Sequence, residues 1–112
     1  MTISTDPVQR QLDAYNAKDL TAFIACYHQE IAIYRMPATA PTLVGRDALA
    51  EFYATQRFTI VALRAEVLNR MVVGNKVIDH ERVFGMADQP YDVVVVYEVQ
   101  DGLILNAWFY GT

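Results

Sequence analysis

Four ionisable residues in succession, Asp79-His80-Glu81-Arg82, lie inside a run from Val77 to Phe84 whose other members are apolar. In a β-strand, side chains alternate between faces. One face then carries Ile78, His80, Arg82 and Phe84, and the other carries Val77, Asp79, Glu81 and Val83. His80 is suited to general acid or base catalysis, because imidazole titrates nearest neutrality. It is equally suited to a structural hydrogen bond with a tyrosine or carboxylate in the sheet. Arg82 can grip a ligand carboxylate or polarise a carbonyl with two parallel hydrogen bonds. The competing reading is an ion pair with Glu66 or Glu98 on a neighbouring strand. Charges on whichever face is buried need partners or a ligand.

The elements that must position these residues follow from spacing. Asp6-Pro7 reads as an N-cap and first helical residue, with Gln9 placed for a capping box and Val8, Leu12 and Tyr15 at helical spacing. Asp19 caps a second short helix bearing Leu20, Phe23, Ile24 and Tyr27. Alternation from Glu30 to Met36 predicts a first strand, and Gly45-Arg46-Asp47 opens a third helix with Leu49, Phe52, Tyr53 and Gln56 on one side. Leu63 to Val73 and Lys76 to Phe84 form an antiparallel pair around Gly74-Asn75. Tyr91 to Val99 and Leu103 to Tyr110 flank the hairpin signal Asp101-Gly102. Helices come first and most strands later, which predicts an α+β fold: three N-terminal helices packed on a strongly curved, mainly antiparallel sheet.

At 112 residues the chain is expected to be a single domain spanning 1–112. A formal net charge of −4 and scattered Lys and Arg argue against sequence-independent nucleic acid binding. The lone Cys26 cannot form an internal disulfide and reads as a small buried hydrophobe. The first residues show no secretory signal and no apolar run approaches a membrane span, so a cytoplasmic protein without membrane contact is expected. His28 and His80 lack metal-ligand spacing, and no metal or other cofactor is expected.

The element order, with Tyr15-Asn16-Ala17-Lys18-Asp19-Leu20, Gly45-Arg46-Asp47-Ala48-Leu49 and Glu98-Val99-Gln100-Asp101-Gly102-Leu103-Ile104, resembles the nuclear transport factor 2-like superfamily. That superfamily includes ketosteroid isomerases, limonene epoxide hydrolases and SnoaL-like polyketide cyclases. The resemblance implies a cone whose concave sheet face lines a mostly apolar pocket. It also places the isomerase base on Arg35, the oxyanion tyrosine on Gln11 and the protonated aspartate near Val95, so that chemistry is absent by this route. In the epoxide hydrolases an arginine aligns with Arg82, while their two aspartates fall on Phe84 and near Trp108.

By that resemblance the Arg82 face should be concave. Alternation outward from it gives a pocket lined by Tyr15, Arg35, Tyr53, Phe84, Val95, Tyr97, Asn106 and Trp108, with His80 and Arg82 as the catalytic candidates. Asp79 and Glu81 then fall on the outer face, which the resemblance implies is a homodimer interface. The expected partner is a small hydrophobic steroid-, terpenoid- or polyketide-like molecule. Proton-transfer catalysis through His80 and Arg82, or a dimeric scaffold acting through the outer face, are the alternatives.

Overall fold

The computed structural model describes residues 5–111. Three helices, α1 (Thr5–Ala17), α2 (Leu20–Ile24) and α3 (Arg46–Gln56), pack on a sheet of β1 (Tyr27–Arg35), β2 (Leu43–Val44), β3 (Arg64–Val73), β4 (Lys76–Phe84), β5 (Tyr91–Gln100) and β6 (Leu103–Tyr110). The fold is α+β, as the order of patterns predicts. The first strand begins earlier than alternation suggests, and the two-residue β2 carries no strand signal of its own. Residues 1–4, just before α1, lie outside the described residues. Helix α1 already includes Asp6 and Pro7, and Gln9 bonds Asp13 and Arg70, so the expected capping box is not formed.

The α1–α2 junction is built by its sequence. Lys18 takes a left-handed φ of 55°, with Asp19 N–H donating to Ala14 and Lys18 N–H to Tyr15, a Schellman-type close without glycine. Asp19 Oδ1 then accepts from Ala22 N–H, as its position predicts. Asn16 extends the junction to the sheet, donating to Ala65 O at 2.9 Å and accepting from Ala65 N–H at 2.8 Å. These bonds fix where α1 sits over β3.

Strand order is β2-β1-β6-β5-β4-β3, antiparallel except where β1 runs parallel to β6. Two one-residue irregularities bend the sheet. Asn69 pairs with His80 but Val67 with Glu81, passing over Leu68. Val99 pairs with Ile104 but Glu98 with Asn106, passing over Leu105. A bulge increases local twist and reverses the face of everything beyond it.

The core lies between the helices and the concave face, where Phe23, Ile31, Leu49, Val77, Val95 and Ile104 are fully buried. Phe23 is its aromatic centre, with its ring 4.5 Å from Tyr53 and 5.4 Å from Phe58. Cys26 is buried as expected, its thiol donating to Ala22 O.

Candidate functional site

The side chains of β4 settle which face is concave. Val77, Asp79 and Glu81 are buried, whereas Ile78, His80, Arg82 and Phe84 are half-buried or exposed on the convex side. The predicted orientation is therefore reversed. Asp79 and Glu81 point under the helices and not to an outer dimer face. His80 and Arg82 point away from the cavity, and Asp92 answers both: His80 Nε2 lies 2.8 Å from Asp92 Oδ2, and Arg82 Nε donates to Asp92 Oδ1 at 2.8 Å. Those bonds hold the Asp92 carboxyl down to about 2. Arg82 forms a surface ion pair with Asp92 in place of the expected Glu66 or Glu98, and His80 shares a hydrogen bond with the same carboxylate.

Beyond the fully buried core, a cavity of about 90 Å³ remains open between α1, α3 and the sheet. Its lining includes Gln11, Tyr15, Tyr53, Arg57, Glu81 and Tyr97, with Arg35 and Phe109 from the paired ends of β1 and β6. Of the residues expected to line a pocket, Tyr15, Arg35, Tyr53 and Tyr97 are in this lining. Val95 faces the same side but is packed in the core. Phe84, Asn106 and Trp108 are on the convex face. There Phe84 lies under the Arg64 guanidinium, Asn106 donates to Glu98, and Trp108 stacks on Tyr34 with ring centroids 5.7 Å apart.

Glu81 is the chemical centre of this cavity. Its side chain accepts from Tyr97 Oη at 3.1 Å, Tyr97 Oη accepts from Gln11 Nε2 at 3.3 Å, and Tyr27 Oη donates to Gln11 Oε1 at 3.1 Å. All four residues are buried, and Glu81 is 7% exposed. Burial, followed by the neighbouring Asp79 charge, raises the Glu81 carboxyl to about 7, against the opposing pull of the Tyr97 bond and Arg70. Burial also pushes the Tyr15, Tyr27, Tyr53 and Tyr97 hydroxyls up, so they remain protonated donors.

Asp79 is occupied differently. Arg70 grips it with two bonds, Nε to Oδ1 at 2.7 Å and Nη2 to Oδ2 at 2.9 Å, while Arg70 Nη1 donates to Gln9 of α1 at 2.8 Å. Of the two buried carboxylates on β4, Asp79 has an ion-pair partner and Glu81 has a phenol. That contrast gives Glu81 the freedom to titrate.

Alternation assigns Glu81 to the outer face, and Arg57 and Phe109 carry no reading from the sequence. A signal for Gln11 was present, since it lies one helical turn before Tyr15. Arg57 follows α3 in a segment without periodicity, and nothing local marks it.

Comparison with curated protein sequences gives no match. Solved structures match closely in fold. A ketosteroid isomerase-like protein from Kribbella flavida is 17% identical with a TM-score of 0.83, covering 97% of this chain and 77% of that one. An NTF2-like protein of unknown function from Mesorhizobium loti is 24% identical with a TM-score of 0.81, covering 97% and 90%. An LEH-like epoxide hydrolase of Mycobacterium tuberculosis is 16% identical with a TM-score of 0.80, covering 97% and 82%. The SnoaL-like domain profile matches residues 8–107, nearly the whole chain, and the protein belongs to that family.

Proposed function

We propose that the cavity binds a small carbonyl compound and that Glu81 exchanges a proton with it. The observation that carries this reading is a buried carboxyl, raised to about 7, that lines an open cavity and has no direct ion-pair partner among the described residues. Such a group is poised between base and acid at neutral pH. In the forward step the Glu81 carboxylate takes the proton α to the carbonyl. The C–H bond breaks, its electron pair moves into the carbonyl as an enolate, and a new O–H bond forms on Glu81. Return of that proton to the same or a conjugated carbon restores the carboxylate. Tyr15 or Tyr53 donates a hydrogen bond to the enolate oxygen from the opposite wall.

Cavity size narrows the ligand. About 90 Å³ is well below the ~300–1,000 Å³ of pockets for drug-sized molecules. A steroid does not fit inside it, so the ligand is a compact ketone or the head of a longer molecule that projects outward. Butanone in deuterated buffer tests the chemistry by proton NMR. The wild type is expected to accelerate exchange at the α carbons, and Glu81→Gln to lose about 100-fold or more of that acceleration. An unaltered rate in the variant, or no acceleration by the wild type, refutes the proposal.

A second reading concerns the convex face, where register aligns Tyr34, Trp108, Val96, Ile78 and Met71 in one apolar stripe across five strands. Met71, Val94 and Tyr110 on that face are exposed. The stripe supports a homodimer joined through the sheet, with His80, Arg82 and Asp92 beside the contact in place of Asp79 and Glu81. Sedimentation equilibrium decides it, since a monomer mass at micromolar concentration rules the dimer out.

A further inference from the structure

Two cations of the cavity wall are not explained by proton transfer at Glu81. Arg35 is exposed and Arg57 half-buried, so both stand at the rim of a cavity whose interior is held by Glu81, Tyr97 and Gln11. Neither forms an ion pair among the described residues, although Arg64, Arg70 and Arg82 all do. Both are nonetheless held in place. The Arg35 guanidinium carbon lies 5.0 Å from the Phe109 ring centroid, and that of Arg57 lies 4.7 Å from the Phe52 ring centroid. Arg57 Nη1 also donates to Gln56 O at 3.0 Å. Stacking on a ring fixes a guanidinium while leaving the remaining N–H groups of Arg57, and those of Arg35, to face a planar anion.

Their charge acts on one side of the cavity. Arg35 and Arg57 both favour the ionised form of Tyr53, and Arg57 that of Tyr15, while the cation that acts on Glu81 is Arg70. The two rim arginines are thus not counter-ions for the buried carboxylate. Arg35 and Tyr53 also line a second cavity of about 90 Å³ with Ile33, Thr42, Leu43 and Phe52, so Arg35 stands where the two spaces adjoin.

We propose that Arg35 and Arg57 form an anion clamp at the rim, so that the molecule in the Glu81 cavity carries a carboxylate set apart from the group it presents to Glu81. This rests on the reading of the cavity as a small-molecule site and narrows its ligand to oxo acids and related carboxylates. Planar bidentate capture suits arginine better than lysine, and an anion is admitted to a protein of net charge −4 only where local cations outweigh that field.

The test compares 4-oxopentanoate with its methyl ester, which keeps the ketone and removes the charge. Calorimetric titration of the wild type is expected to show the acid binding about tenfold or more tightly than the ester. Arg35→Gln and Arg57→Gln should each lower acid affinity about tenfold and change ester affinity far less, with unaltered melting temperatures. Glu81→Gln should still prefer the acid, because the clamp does not need the base. Equal affinity for acid and ester overturns the clamp, as does no binding of the acid at about 10 mM. So does loss of acid affinity in only one of the two arginine variants. If the acid binds as expected but wild type never exchanges its α protons, the proton-transfer reading falls and the clamp stands.

Discussion

Glu81 couples stability to pH in a direction opposite to that of most carboxylates. In the unfolded chain it titrates near 4.5, and in the cavity at about 7. Between those values the folded protein holds a proton that the unfolded chain has released. The stability tied to Glu81 is therefore fully present below about pH 4.5 and is lost as pH rises through about 7. The gap corresponds to about 3 kcal/mol as an order of magnitude. Glu81→Gln keeps an acceptor for Tyr97 and removes the titration. Urea unfolding should find the variant near wild type at about pH 4.5 and more stable by up to about 3 kcal/mol at about pH 8. A difference that does not change with pH would show that Glu81 titrates normally. The same ionisation that weakens the fold creates the base, so proton-transfer rate should rise over the range in which stability falls.

At the scale of elements, the Arg70–Asp79 pair joins β3 to β4, and the Arg70 bond to Gln9 brings in α1. Arg70→Met leaves Asp79 charged and fully buried without its cation. A loss of about 3–5 kcal/mol is expected by chemical denaturation. A loss below about 1 kcal/mol would mean that Asp79 finds another partner or a proton. Gly85, just after β4, has φ of +90°, and a Cβ there would lie 2.5 Å from the backbone of Ala62. Gly85→Ala should cost more than about 1 kcal/mol in the same assay, and wild-type stability would disprove the close approach.

These elements were legible in the sequence, but their faces were not. The bounds of β4 and β6 follow from alternation and turn residues, whereas only the Arg82 alignment orients the face of β4. Spacing alone could not correct it, because Val77 and Val83 on one side balance Ile78 and Phe84 on the other. Counting from Asp101-Gly102 as a regular two-residue turn sets Tyr97 opposite Asn106 and Val95 opposite Trp108. Because Leu105 is passed over, Tyr97 faces Ala107 and Val95 faces Phe109. Thus Phe109 enters the concave side and Trp108 leaves it. A single unpaired residue has no compositional mark, and it decides every assignment beyond it. Tyr15, Arg35, Tyr53 and Tyr97 line the cavity, and none of them lies on β6, the strand whose faces that count decides.

For the whole molecule, the sheet separates two surfaces that should be independently alterable. Met71→Lys puts a charge into the convex apolar stripe and touches nothing in the cavity. If the proposed convex-face dimer forms, the variant should sediment as a monomer while its Glu81-dependent exchange rate stays within about twofold of wild type. A large loss of exchange on dissociation would instead tie the cavity to assembly. None of the described helices is long and apolar enough to cross a membrane.

The parallel pairing of β1 with β6 also orders events during synthesis. Strand β6 lies between β1 and β5, so the sheet consists of two unjoined parts until residues up to Tyr110 have emerged. Before then the aromatic side of β1 has no neighbour beyond the two residues of β2, and Arg35 has no Phe109 to rest on. A nascent chain stalled ahead of Leu103 would expose an unpaired edge and an open core, a surface that a holding chaperone recognises. The cavity wall is therefore completed last, when β6 joins the two parts of the sheet and brings Phe109 beside Arg35.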